Sequence, residues 1–336
     1  MKLLSTCALA AAIVAQAQQF TVPKIGAIEY YGVHKLAEAR IARTLALKPG
    51  DPMPPSKGDM EDRLEKIPGV VEARLEAVCC QEDGQVTLFV GIEEKGAPHF
   101  AFRSEPTGTA ALPEEIVALH QKLVAAIEAT ARRGSTAEDL TQGHALMADP
   151  DAREIQQEFA KYAKDHLAHL RDVLRNSDRP DHRAIAATMI GYAPDKTKVT
   201  TDLEYALQDP DESVRGSAMR SLGAIAVLAA READLEIRIS PTWFVEMLNS
   251  IALSDRFKAA TALVNLTEQD GKPTLQQIYD RALGSVLEMA QWKSLRYALH
   301  SYILLGRMAG VSEQTIQQSW NRGNRDAVVM RFAGKR

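Results

Sequence analysis

Few residues of this sequence stand at spacings that could do chemistry. His166 and His169 are three apart, with Asp165 and Asp172 beside them, and on a helix that spacing turns two imidazoles to one side, half of a zinc site. No HExxH motif and no third ligand complete the set, and the interleaved Leu167 and Leu170 read as an ordinary, partly buried helix. Asp139, Gln142, Gly143 and His144 cluster where a helical pattern breaks. A loop there could present His144 as a general base. The plainer reading makes Asp139 a helix cap and His144 a surface residue. Cys79 and Cys80 are adjacent and match neither a CxxC motif nor zinc spacing. Successive strand residues point to opposite faces, which predicts two free thiols, Cys79 buried and Cys80 accessible. An intermolecular bridge through Cys80 and a strained bond between the neighbours are the alternatives. No GxSxG, Walker loop or dinucleotide fingerprint occurs. These residues favour a protein without catalysis, cofactor or metal. A hydrolase or lyase with its site near His144 or the pair His166/His169 is the competing reading.

The chain opens on Lys2, an apolar run from Leu3 to Val14, and the small-residue triplet Ala15-Gln16-Ala17. That is the three-part pattern of a secretory signal peptide over residues 1–17, with the exported form beginning at Gln18. About 12 apolar residues fall short of the roughly 20 that a membrane anchor needs. Leu4-Ser5-Thr6-Cys7 resembles a lipoprotein box only faintly, because Cys7 precedes any adequate apolar stretch. The expected location is therefore periplasmic or secreted, with no membrane span. With 40 Lys and Arg against 44 Asp and Glu, interspersed along most of the chain, the formal charge is −4 and no nucleic-acid footprint is visible. The exception is the stretch 321–336, where Arg322, Arg325, Arg331, Lys335 and Arg336 face only Asp326. A frayed, solvated tail is expected there, with contact to acidic lipid or a partner as the second reading.

Residues 24–96 change pattern several times. Lys24 to Tyr31 is β-prone and stops at Gly32. Ala37, Ile41, Thr44 and Leu45 form one helical stripe, ended by Lys48-Pro49-Gly50-Asp51, and Met60, Leu64 and Ile67 mark a second helix before Pro68-Gly69. The period then becomes two: Val71, Ala73, Leu75, Ala77 and Cys79 alternate with Glu72, Arg74 and Glu76, and a return strand places Val86, Leu88, Val90 and Ile92 on one face. The order is β-α-α-β-β.

Ile25-Gly26-Ala27-Ile28-Glu29-Tyr30-Tyr31-Gly32, the Leu47-Lys48-Pro49-Gly50-Asp51 stop, Ile67-Pro68-Gly69-Val70 and Leu88-Phe89-Val90-Gly91-Ile92-Glu93-Glu94 together resemble the POTRA domain of bacterial envelope proteins. The resemblance covers about a quarter of the chain. It implies a non-catalytic, exported module that holds extended peptides or neighbouring proteins at a strand edge. That edge would be the strand from Val70 to Cys80, with Val70, Glu72, Arg74, Glu76, Val78 and Cys80 as partner-binding residues and the charges turned outward. Relatives that insert outer-membrane proteins carry a β-barrel behind such domains. Here the remainder reads as helix, so that role is not implied.

Residues 97–112 are rich in turn formers and read as a linker; residues 113–320 read as a helical domain. Ile116, Leu119, Leu123, Ala126, Ile127 and Thr130 form a stripe ended at Gly134, and a longer helix follows Asp149-Pro150. Arg183-Ala184-Ile185-Ala186-Ala187-Thr188-Met189-Ile190-Gly191 aligns with a stretch from Arg215 to Gly223, then with one from Arg256 to Val264, and more weakly with one ending Leu304-Leu305-Gly306. These positions resemble HEAT-like repeats over about 167–310, best at Asp209-Pro210-Asp211-Glu212-Ser213-Val214-Arg215. The spacing there reads as Asp209 capping a helix begun by Pro210. The resemblance implies a polar ladder through Asp209 and Arg215, broken where Ser177 and Ser250 take the acidic place. Taken together, the sequence predicts an α+β N-terminal module of POTRA-like type followed by an all-α HEAT-like array. Such a chain suits protein binding or scaffolding, with protein partners in the cell envelope. A self-assembling structural component is a further alternative, and the oligomeric state stays open.

Overall fold

The computed structural model describes residues 22–79, 84–98, 100–269 and 271–334. The signal-peptide reading of residues 1–17 and the partner role of Cys80 lie outside the described residues. The first elements are β1 (Ile25–Tyr31), α1 (Glu38–Leu45), α2 (Lys57–Glu65), β2 (Val70–Val78) and β3 (Val86–Glu94), in the order that the alternating periods predict. The strands lie in the order β1-β3-β2, with β1 parallel and β2 antiparallel to β3. Ile41 and Leu45 of α1, and Leu64 of α2, cover one face of the sheet, where Ile25, Leu75, Leu88 and Val90 close a small core. Ser56 starts α2 by accepting the amide of Asp59 at 3.1 Å.

The opposite face of the sheet does not meet water. Tyr31 and Phe89 are buried in the core of the helical part, and the Tyr31 hydroxyl donates to the Ile251 carbonyl at 2.8 Å. Both residues meet Trp292 edge-on, with ring centroids 5.9 and 4.9 Å apart. β3 is therefore buried on both sides, which explains its near-continuous apolar sequence.

The helical part begins with α3 (Glu114–Arg132), and a short antiparallel pair of two-residue strands, β4 (Glu138–Asp139) and β5 (Leu146–Met147), follows. Next come α4 (Pro150–Asn176), α5 (Pro180–Ile190), α6 (Lys196–Ala206), α7 (Glu212–Arg231), α8 (Thr242–Met247), α9 (Leu253–Leu266), α10 (Lys272–Ala290), α11 (Leu295–Met308), α12 (Glu313–Asn321) and α13 (Asp326–Val329). Asp149 caps α4 through the amide of Ala152 at 3.2 Å, as the Asp-Pro pair predicts. The three repeat copies are the helices α5, α7 and α9, which pack in succession, with α11 next to α9. Ala186, Ala218 and Ala259 are all fully buried, so the small residue three positions after each arginine lets neighbouring helices approach.

The ladder through the repeat arginines is continuous, contrary to the break inferred from Ser177 and Ser250. Arg183 donates to the Ser177 carbonyl at 3.0 Å and to both carboxylate oxygens of Asp209 at 2.9 Å. Arg215 donates to the Asp209 carbonyl at 2.9 Å and to Asp255 at 2.7 Å. Arg256 donates to the Ser250 carbonyl at 2.5 Å and to Glu288 at 3.2 Å. Each arginine thus binds a backbone carbonyl six residues back, where side-chain identity is irrelevant, and a carboxylate of the following copy. Asp209 is consequently a rung and not a cap. Asp211 caps α7 instead, accepting the amides of Ser213 and Val214 at 2.8 and 3.3 Å.

The connecting segment 97–112 is strapped across these corners. Arg103 donates its amide to the Gln208 carbonyl at 2.9 Å, Phe102 lies under the Arg215 guanidinium at 4.1 Å, and Gly108 accepts the amide of Asp178 at 2.8 Å. The basic end is not frayed over its described residues. Val328 and Phe332 are buried, and Arg325 donates to the carbonyls of Ala290 and Trp292 at 3.0 and 2.6 Å.

Two helix glycines separate close packing from spare room. A methyl on Gly306 would run into the Ile316 side chain, whereas one on Gly223 would rest 3.7 Å from Ala262, an ordinary contact. Gly306→Ala is expected to destabilise by roughly 1–3 kcal/mol through overpacking. Gly223→Ala is expected to stabilise by roughly 0.5–1 kcal/mol, because Gly pays more backbone entropy in a helix. Urea denaturation of the two variants checks the opposite signs.

Candidate partner-binding site

β2 is an edge strand, and beside it lies a mostly acidic groove of about 530 Å³ between α2, β2 and the start of α7. Glu61, Asp62, Glu65, Glu72, Glu76 and Glu212 line it, against Lys57 and Arg74. The edge is partly occupied by the chain itself. Leu75 donates its amide to Glu61 at 2.7 Å, and Ala73 donates its amide to Glu65 at 3.2 Å. Because outward and inward amides alternate along an antiparallel edge, Ala77 points its N–H the same way.

The side chains expected to face solvent do other work. Glu72 pairs with Arg74 at 2.8 Å, and Arg74 reaches Glu212 of α7 at 3.3 Å. Glu76 accepts the amide of Leu253 at the start of α9; burial first, and the neighbouring Glu212 second, push its carboxyl above the ordinary carboxylate range. Val70 packs on the module core and Val78 on the array core. Glu72 and Arg74 keep part of their side chains exposed while the array supplies Glu212 and the Leu253 amide to the same face, so polar alternation here borders both water and an interface. Cys79 also departs from expectation. It is exposed, since the helical layer covers Ala73 and Leu75 but not the end of the strand, and it is disulfide-bonded.

The other candidates are dispersed. His166 sits at a kink in α4, where its backbone leaves helical geometry, and stacks on Tyr162 with centroids 4.4 Å apart. Asp139 does not cap a helix; it accepts the amide and hydroxyl of Thr141 at 2.9 and 2.7 Å, closing the β4–β5 turn. That turn brings His144, half-buried, to Lys196 at the start of α6: Nδ1 and Nζ are 3.1 Å apart, and Nζ donates to the Gly191 carbonyl at 2.6 Å. A cavity of about 520 Å³ opens beside them, lined by Gln142, His144, Ala160, Lys161, Lys164, Tyr192, Pro194 and Lys196. Burial pushes the Lys196 ammonium down to about 8, and burial followed by the Lys196 charge pushes His144 down to about 4. Sequence reasoning misses Glu61, Glu65 and Lys196. The i, i+4 spacing of Glu61 and Glu65, beside Leu64 on α2, is the signal available for the first two, and a lysine opening a helix carries none.

The fold defines a helical array with a small α+β module docked against it, in which β2 lies at the edge of the module's sheet. Comparison with known families finds HEAT repeats over residues 167–236, the segment that spans the Arg183 and Arg215 rungs. No curated protein matches the chain. Repeats of this kind point to a protein-interaction or scaffold role, and no catalytic family is indicated. No helix among the described residues is long and apolar enough to cross a membrane.

Proposed function

We propose that the protein is an exported scaffold of the cell envelope that captures an extended, basic segment of a partner protein along β2. The observation that carries this reading is the acidic groove beside an edge strand, with Glu61 and Glu65 holding two of its outward amides. An incoming strand replaces those carboxylate contacts with main-chain hydrogen bonds, and its basic side chains take up the released charges. Export rests on the Lys2, Leu3–Val14 and Ala15-Gln16-Ala17 pattern, and the POTRA-like resemblance of residues 24–96 supports an edge-strand role. The array contributes a second surface, and two linked weak sites raise avidity without any new contact.

Ala77→Pro in the full chain tests the reading. It removes an outward N–H at an exposed edge position where proline is tolerated. A photoreactive residue placed at Glu61 reports which envelope proteins enter the groove. Loss of one main-chain hydrogen bond and the clash of the ring should weaken their capture roughly tenfold. Undiminished capture by a folded Ala77→Pro protein would remove β2 from the binding surface.

A further inference from the structure

The pocket beside Lys196 shares no residue with the β2 groove and has a different character. Every charged group lining it is basic: Lys161 and Lys164 from α4 and Lys196 from α6. Lys196 is 5% exposed, and no carboxylate among the described residues pairs with its amine. The nearest acid on its own helix end, Asp195, pairs with Lys198 at 2.8 Å, and Asp139 is engaged by Thr141. Gly143 makes the placement possible. It has φ +71, and any side chain there would meet Leu228 and the Lys196 stem, so glycine lets the turn close over that stem and set His144 against the amine.

The arrangement leaves the amine as a nucleophile. With His144 in its Nε2–H tautomer, a neutral Nζ donates one hydrogen to Gly191 and one to His144 Nδ1, which fixes its direction and leaves its lone pair unused. A lysine serving only to cap the C-terminal carbonyls of α5 would gain most as a solvated cation. We infer that this pocket binds a small aldehyde carrying an anionic group, with Lys161 and Lys164 holding the anion and Lys196 condensing with the carbonyl to an imine. The nitrogen lone pair attacks the carbonyl carbon, and a C–N bond forms as the oxygen takes up a proton. The carbinolamine then loses its oxygen with both amine hydrogens as water, leaving C=N; nothing is oxidised or reduced. His144 is a positioning residue that accepts the amine N–H.

Pyridoxal 5′-phosphate is a suitable probe, being both anion and aldehyde. The full chain is incubated with it, reduced with cyanoborohydride and mapped by peptide mass spectrometry. At about pH 8, where a lysine in water with its pKa near 10.4 is almost wholly protonated, label should collect on Lys196 at roughly tenfold or more over any other lysine. Because the Lys196 pKa is lowered, its labelling should climb as pH rises through about 8 and then level off. Pyridoxal without the phosphate should label it several-fold less. Lys196→Arg, which keeps a donor for Gly191, should fold and lose the dominant site. Label spread evenly over the lysines, an unlabelled Lys196, or a profile that rises only toward the range of a lysine in water would overturn the imine. Equal labelling by pyridoxal would overturn the anionic requirement.

Discussion

Asp255→Ala is expected to cost the fold roughly 3–5 kcal/mol, the penalty for stripping one partner from a buried ion pair. Asp255 is fully buried, takes Arg215 at both Nε and Nη2, and accepts the Ser250 hydroxyl at 2.9 Å. Without it, Arg215 keeps the carbonyls of Asp209 and Pro210, each at 2.9 Å, and the Phe102 ring at 4.1 Å, but no paired carboxylate among the described residues to neutralise a charge held out of water. For an array of this size each kcal/mol is worth roughly 2–4 °C, so melting followed by circular dichroism should fall by on the order of 10 °C. The double replacement Arg215→Met with Asp255→Leu should recover most of the loss, since it removes the desolvated charge together with its partner. A single-variant loss below about 1 kcal/mol would mean that the rung is solvated and contributes no more than a surface pair.

The local grammar of the chain is readable wherever one element decides its own shape. Periods of two and near four give the five elements of the module in order, and Arg183, Arg215 and Arg256 announce the repeats because each needs the same carbonyl six residues back. What the periods leave out is the partner across space. Asp255 and Glu288 complete the ladder from positions that carry no repeat signal, because a guanidinium fork accepts any carboxylate that the next helix brings within reach. Glu72, Arg74 and Glu76 look solvated for the same reason: alternation separates two faces of a strand but does not say whether water or Glu212 and Leu253 meet the polar one. The candidate groove is legible only in half. The resemblance of residues 24–96 implies an edge at β2, whereas its acidic wall needs the neighbouring α2 together with α7, which is remote in sequence.

Phe89→Ala should separate the docking of the module from its folding. Phe89 points away from the module's own core, between Trp292 at 4.9 Å and Tyr297 at 5.2 Å, whereas Leu88 one residue earlier fills that core. Truncating either buried side chain costs roughly 2–5 kcal/mol by lost burial and the cavity left behind. The readout that distinguishes them is Trp292, which is 2% exposed and whose cover includes Phe89 and Tyr31. Phe89→Ala should shift the tryptophan emission to the red and open it to acrylamide, while Leu88→Ala should lower stability and leave Trp292 shielded until the protein unfolds. Cutting the chain within 97–112 is a poorer test, because both pieces would expose Phe89, Tyr31 and Trp292 to water. The groove depends on this docking, since Glu212 and Arg74 meet only when the sheet lies on the array. Partner capture should therefore fall in Phe89→Ala even at temperatures where both parts remain folded. If capture and Trp292 shielding both survive, the aromatic contact does not hold the module in place, and the interface rests on polar contacts such as the Tyr31, Glu29 and Glu288 hydrogen bonds to Ile251, Lys293 and Gly32 and the Arg74–Glu212 pair.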